Sequence, residues 1–188
     1  MRTAPNLVKC EPGKKFSLGS LSVVQTNLDE ILAHAYLRFQ GAGLLPVVFS
    51  EGETSLRWFL ETYRDMHVVA GFDGKNLTGL GWLNKVLDMG PAGRKGDCGM
   101  AFFPEVSPWK KLKLGALFID YAFEELGLVG LFGTTPEPNR RAVRYSKKLG
   151  FKLFGPIPAL SAWEGKLCGA YISSMTRQEW LQKLGGIR

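Results

Sequence analysis

Apolar positions along this chain change their spacing several times, and each change marks an element. Ile31, Leu32, Ala35, Tyr36 and Phe39 recur at three- and four-residue intervals, which predicts an amphipathic helix over residues 27–40. Thr26-Asn27 ahead of Asp29 and Glu30 gives that helix a capping-box-like start with acidic residues against the dipole, and Gly41 or Gly43 ends it. Leu56, Phe59, Leu60 and Tyr63 mark a second helix over 54–65, entered from the loop Glu51-Gly-Glu-Thr. Residues 66–72 and 77–87 then read as strands joined by the hairpin turn Asp73-Gly74-Lys75-Asn76. Gly71, Gly79 and Gly81 inside them point to bulges or to close approach of another backbone.

The second half continues in the same way. A glycine-rich loop over 88–96 leads to a strand over 97–103. Ser107-Pro108 then starts a helix over 108–126, serine as cap and proline at the first helical position, with Leu112, Ala116, Ile119, Phe123 and Leu126 as its buried stripe. Residues 129–133 form a short strand, 139–149 a helix capped by Asn139 and closed by Gly150, and 151–154 a strand. A Gly-Pro-Ile-Pro loop, a strand over 166–173 and a terminal helix opened by Thr176-x-x-Glu179 complete the chain. Residues 21–25 form a strand, and residues 1–20, with Pro5, Pro12, Gly13 and Gly19, an irregular arm or a short strand plus loop. The order is strand, two helices, three antiparallel-type strands, helix, strand, helix, strand, strand. It predicts one α/β domain over 1–188, a mixed sheet with helices on both faces and a C-terminal helix over 177–188.

Composition narrows the function classes. A chain of 188 residues, 45% hydrophobic, can bury a core without metals or disulfides. Cys10, Cys98 and Cys168 are widely separated and lack Cys-x-x-Cys spacing, which argues against a zinc site and a disulfide framework and suits a reducing cytosol. No apolar run approaches the roughly 18 residues of a membrane span, and the lysine-bearing N-terminus has no signal-peptide core. A soluble, cytoplasmic, unprocessed protein is expected. The net charge of +7 attracts CoA, other phosphates, nucleic acid or acidic protein without choosing among them. His34 and His67 stand apart from any serine or cysteine motif, so no nucleophile triad is indicated.

The run from Glu137 to Phe151, with Asn139-x-x-Ala142 and then Leu149-Gly150-Phe151, resembles the closing motif of the GNAT family of acyl-CoA N-acyltransferases. The order of elements agrees with that fold through nearly the whole chain. The resemblance implies acetyl-CoA or another acyl-CoA as co-substrate, no metal, and direct attack by the amine of a small-molecule or macromolecular acceptor. It places the acyl and pantetheine contacts at Gly99, Met100, Ala101, Phe102 and Phe103, between two splayed strands. The pyrophosphate falls at the next helix start, Trp109, Lys110, Lys111, Leu112 and Lys113, with Asn139 near the cofactor arm. A helix N-terminus is an anion site by its unpaired N–H groups and dipole. Three lysines there oppose the dipole unless an anion joins them.

Two departures from the family pattern stand out. Its glycine-rich phosphate loop is replaced by Val-Ser-Pro-Trp-Lys-Lys-Leu-Lys-Leu-Gly, so the glycine positions hold Trp109 and Lys111, or Lys110 and Leu112, and only Gly115 is salvageable. The tyrosine that often protonates the leaving thiolate is replaced by Ser146, with Tyr145 adjacent but rotated by about 100° on the helix. Glu105 is the first candidate for general base, ahead of Asp97 and Glu137. Residues 155–166 form an acceptor-side loop or a contact of a homodimer. A protein of this fold that no longer acetylates, and acts as a binding or structural module or modifies nucleic acid with a different donor, is the alternative reading.

Overall fold

In the computed structural model, which describes residues 15–26, 28–48 and 55–184, one mixed sheet organises the chain. Its strands are β1 (Lys15–Leu18), β2 (Leu21–Gln25), β3 (His67–Asp73), β4 (Asn76–Asp88), β5 (Arg94–Phe102), β6 (Gly130–Pro136), β7 (Lys152–Trp163) and β8 (Lys166–Thr176). They lie in the order β1-β2-β3-β4-β5-β6-β8-β7. All neighbours are antiparallel except β5 and β6. The helices are α1 (Asp29–Gly41), a single turn α2 (Leu45–Val48), α3 (Leu56–Arg64), α4 (Pro108–Asp120), α5 (Arg140–Leu149) and α6 (Arg177–Leu184).

Two apolar layers close the sheet. On one face Phe39 of α1 meets Phe103 with ring centroids 4.9 Å apart, Phe59 stacks on Tyr63 at 4.5 Å, and Tyr63 stands edge-on to Trp82 of β4 at 5.4 Å. On the other, α4 lays Leu114 and Phe118 over glycines of β3 and β4. A Cβ on Gly81 would sit 2.6 Å from the Phe118 ring, and one on Gly79 would sit 2.3 Å from the Ala101 carbonyl. The strand glycines therefore mark close approach, by a helix side chain in one case and by a neighbouring backbone in the other. Each fully buried Phe or Leu of these layers contributes about 1.5–3 kcal/mol of transfer free energy.

The mixed sheet with helices on both faces is as expected, and the differences are local. The segment expected as a Gly-Pro-Ile-Pro loop remains in β7, whose register to β8 slips between Phe154 and Ile157 and again before Ser161. An edge strand tolerates the prolines because one side of it has no ladder to supply, and Gly155 at φ 118° and Ala159 at φ 51° absorb the distortion. The loop over 88–96 is shortened by a 3-10 turn at Gly90–Ala92, which starts β5 at Arg94. Helix α4 loosens after Asp120 into a π turn, Tyr121–Glu125. Helix α1 starts at Asp29, two residues later than expected, with Leu28 at the cap position and no side-chain cap, the Thr26 hydroxyl accepting from the Leu28 N–H at 3.3 Å. Asn27, the loop at 51–54 and residues 1–14 and 185–188 lie outside the described residues.

Helix α6 docks by burying Trp180, whose indole N–H donates to Asp120 at 2.8 Å. Its start is a reciprocal box. The Thr176 N–H donates to the Glu179 carboxylate at 2.8 Å and the Glu179 N–H to the Thr176 hydroxyl at 3.2 Å, while Lys152 pairs with the same carboxylate. The Lys152 ammonium first, and then the Thr176 donors, hold the Glu179 pKa at about 2, below its ordinary 4.5. A carboxyl whose folded pKa is depressed contributes stability above its unfolded pKa and loses it as pH falls through the folded one. Wild type should therefore exceed Glu179→Gln in thermal stability above about pH 4.5 and converge with it towards pH 2. Parallel melting curves that never converge would contradict this assignment.

Candidate functional site

Strands β5 and β6 run parallel but pair over only three positions, Lys95 with Gly130, Gly96 with Leu131 and Asp97 with Phe132. Beyond Asp97 they part, β5 following β4 to Phe102 and β6 following β8 to Pro136. Gly133 sits at the apex, where a Cβ would lie 2.6 Å from the Cys98 carbonyl. The alternation that turns the Cys98 carbonyl towards β6 turns the backbone of Met100 the same way. Its N–H therefore faces a gap in the sheet. Gly99, Met100, Ala101 and Phe102 line this opening on β5, whereas Phe103 leaves it and packs under Arg38, whose guanidinium carbon lies 3.8 Å from the ring centroid.

Two helix starts overhang the same end of the sheet. Ser107 caps α4, accepting from the Lys110 N–H at 3.4 Å, while the Lys111 N–H bonds back to the Ser107 carbonyl at 3.0 Å. Pro108 has no N–H to give. The backbone of this turn therefore offers little beyond the Trp109 N–H, and the lysines have diverged. Lys110 pairs with Asp73, which also accepts from Ser20 at 2.6 Å. Lys113 lies 5.2 Å from the centroid of the Trp109 ring, itself 59% exposed. The Lys111 ammonium reaches the Pro104 carbonyl at 3.5 Å, and burial first and the Arg141 charge second lower its pKa. Arg141 is in the first turn of α5, where Asn139 caps by accepting the Ala142 N–H at 3.1 Å. Among the described residues neither Lys111 nor Arg141 has a carboxylate partner.

Tyr145 bridges the two helices. Its hydroxyl donates to the Lys111 carbonyl at 2.8 Å, and its ring meets Phe102 edge-on at 5.7 Å. The notch that receives it is Gly115, where a Cβ would lie 2.0 Å from the hydroxyl oxygen. Burial raises the phenol pKa far above the ordinary range. Tyr145 is therefore a packing residue that fixes α5 against α4, and Gly115 serves that contact. Ser146, half-buried one position on, caps nothing and continues the helix, its carbonyl accepting from the N–H groups of Gly150 and Phe151.

The three candidate bases lie in different surroundings. Glu105 is on the loop between β5 and α4, paired with Arg38 of α1, its side chain 58% exposed. Glu137 follows β6, and its carboxylate folds over Gly169, where a Cβ would come within 3.0 Å. It lines a groove of about 300 Å³ with Pro156, Pro158, Leu167 and Cys168, formed by the distorted part of β7. Asp97 stands at the last paired position before the strands part. Its side chain shares a face with Gly99, where a Cβ would lie 2.4 Å from the Trp82 ring, and so points towards the α1–α3 layer, opposite α4. Asn84, in the irregularity of β4, donates to it at 3.1 Å. Burial raises the Asp97 pKa, against the opposing influence of Asn84 and Lys85. Cys98 next to it is pushed up to about 12 by burial and the Asp97 charge, and is inert as a thiol at neutral pH.

No protein-family model matches this chain, and no curated protein matches it in sequence. Solved structures do. A spermidine N-acetyltransferase SpeG mutant from Vibrio cholerae superposes with a TM-score of 0.70 at 17% identity, over 88% of this chain and 99% of the other. A ribosomal-protein-S5-alanine acetyltransferase from Vibrio fischeri gives 0.68 at 15% identity, over 89% and 98%. Both are N-acetyltransferases of the GNAT superfamily. The chain has the GNAT fold, matched over 99% and 98% of those two structures.

Proposed function

We propose that this chain is an acyl-CoA-dependent N-acyltransferase, acetyl-CoA being the expected donor. The observation that carries the proposal is the parting of β5 and β6 beside two adjoining helix starts, which carry Lys111 and Arg141 with no carboxylate paired to either among the described residues. Two cations without a carboxylate partner among the described residues, together with the Trp109 N–H, suit a pyrophosphate, so side-chain charge replaces most of the glycine-loop cradle. The donor supplies the activated thioester. The chain supplies an anion clamp at Lys111 and Arg141, a backbone N–H at Met100 towards a developing oxyanion, and Asp97 as the base that takes the proton of the amine. Asp97 approaches from the sheet face opposite the helices that hold the phosphates, so donor and acceptor enter from different sides. Glu105 is less suited because Arg38 occupies it. The groove beside Glu137, lined by Pro156 and Pro158, is the proposed acceptor-side surface, within residues 155–166 that the sequence reads either as an acceptor-side loop or as a dimer contact. The solved relatives act on spermidine and on a ribosomal protein, so an amine acceptor is the chemical class expected here.

Thermal melting with acetyl-CoA tests the donor site. A ligand at ten times its dissociation constant adds about 1.4 kcal/mol, or roughly 3–6 °C for a domain of this size. Lys111→Glu with Arg141→Glu should abolish the shift while leaving the unliganded melt in place. A chain that shows no shift with millimolar acetyl-CoA does not use it. A double variant that binds as wild type does would remove the clamp.

A further inference from the structure

Helix α5 carries Arg140, Arg141, Arg144, Lys147 and Lys148 and no acidic residue. At 100° per residue these five fall within a sector roughly 120° wide, and all five are exposed, while Val143, Tyr145 and Leu149 occupy the opposite, packed side. We infer that this ridge is a docking surface for the phosphate backbone of a nucleic acid.

The ridge is costly to the isolated helix. Arg140 and Arg141 oppose the dipole at the N-terminus, and the pairs Arg140 with Arg144 and Arg144 with Lys148 set like charges one turn apart. Among the described residues the single carboxylate near any of the five is Glu137, 3.6 Å from Arg140 at the helix start. Solvation of lysines at the C-terminus accounts for Lys147 and Lys148, but it does not account for three arginines in the first five residues. An extended polyanion relieves all of these repulsions at once.

The ridge also continues past the helix at both ends. Lys111 adjoins Arg141, and Lys183 of α6 lies against Gly150 and donates to the Lys148 carbonyl at 2.9 Å. From Arg140 to Lys148 the rise is about 12 Å, a length over which a duplex carries about seven phosphates at one per roughly 1.7 Å of axis, enough for all five side chains. The sector offers no apolar anchor, and a specific protein partner needs one at the centre of its contact. A convex helix of this width also matches the roughly 12 Å major groove of a duplex. Arg144, Lys147 and Lys148 lie outside the acyl-CoA clamp, so the surface stands whether or not the donor reading holds.

Fluorescence anisotropy of the full chain with labelled 25-nucleotide single-stranded and duplex DNA, across 50–200 mM salt, tests it. With about five contacts the slope of log K against log salt is about −3.5 for the single strand or −4.5 for the duplex, and the steeper, tighter arm identifies the form preferred. Arg144→Glu with Lys147→Glu and Lys148→Glu should weaken binding roughly a hundredfold or more at 50 mM salt and bring the single-strand slope to about −1.4. The glutamine triple variant should weaken binding in the same direction if the glutamate one does not fold. Absence of binding at 50 mM salt, or unchanged affinity in a folded triple variant, overturns the inference. So does competition by poly-glutamate at the same charge concentration as effective as that by unlabelled DNA, because the ridge would then be a general polyanion surface.

Discussion

Replacing Asp97 by asparagine should lower the turnover of acyl transfer by roughly 10²–10⁴-fold, the usual contribution of a positioned base, while leaving the melting shift with acetyl-CoA unchanged. The residue is isosteric, and its side-chain oxygen still accepts from Asn84, so the β4–β5 irregularity is kept. What is lost is the ability to take a proton. Burial holds the folded carboxyl above its ordinary pKa, which brings it closer to the pKa of the ammonium it must relieve. A base works only when deprotonated, so wild-type turnover should rise with pH through that elevated value and then level. The asparagine variant should show no such limb. Release of CoA thiol over a panel of primary amines reads both quantities. A variant within threefold of wild type at neutral pH, with the limb intact, would shift the role to Glu137 or Glu105.

The periodic elements were legible from the chain because their signals are local. The three- and four-residue stripe of α1, the Ser107-Pro108 start of α4 and the Asn139 to Gly150 caps of α5 each rest on neighbours in sequence, and all stand where expected. The place where β5 and β6 part was also accessible, through the resemblance. What the sequence left open was decided by contacts between distant residues. Lys110 and Lys111 look equivalent in a row, yet Asp73, 37 positions away, takes the first, and the second reaches the Pro104 carbonyl within the field of Arg141. By sequence Glu105 is the first base, but Arg38 of a distant helix occupies it, and Asp97 gains its standing from a bulge at Asn84 that no local pattern announces. Prolines 156 and 158 argued for a loop, and the edge position that lets a strand carry them is a property of the whole sheet.

Gly115 shows the same dependence and yields the sharpest stability prediction. Alanine in mid-helix is ordinarily better than glycine by about 1 kcal/mol, so Gly115→Ala should stabilise α4 if the position is merely helical. The structure predicts the reverse. A Cβ there would lie 2.0 Å from the Tyr145 hydroxyl oxygen and 3.0 Å from a Leu149 methyl, so the phenol must move and give up the Lys111 carbonyl. Overpacking costs about 1–3 kcal/mol, and a buried hydroxyl left without its partner about 1–3 more. Net destabilisation should be about 1–5 kcal/mol after the helix gain, a fall in Tm of roughly 2–20 °C. Tyr145→Phe should cost about 1 kcal/mol by itself, but it removes the atom that clashes. With it in place the nearest ring carbon is 3.1 Å away, and Gly115→Ala should lose most of its penalty. The two substitutions should therefore couple by about 1–3 kcal/mol. Additive effects in a double-mutant cycle would mean that Tyr145 does not fill the Gly115 notch, and with it would go the contact that sets α5, and Arg141 on it, against α4.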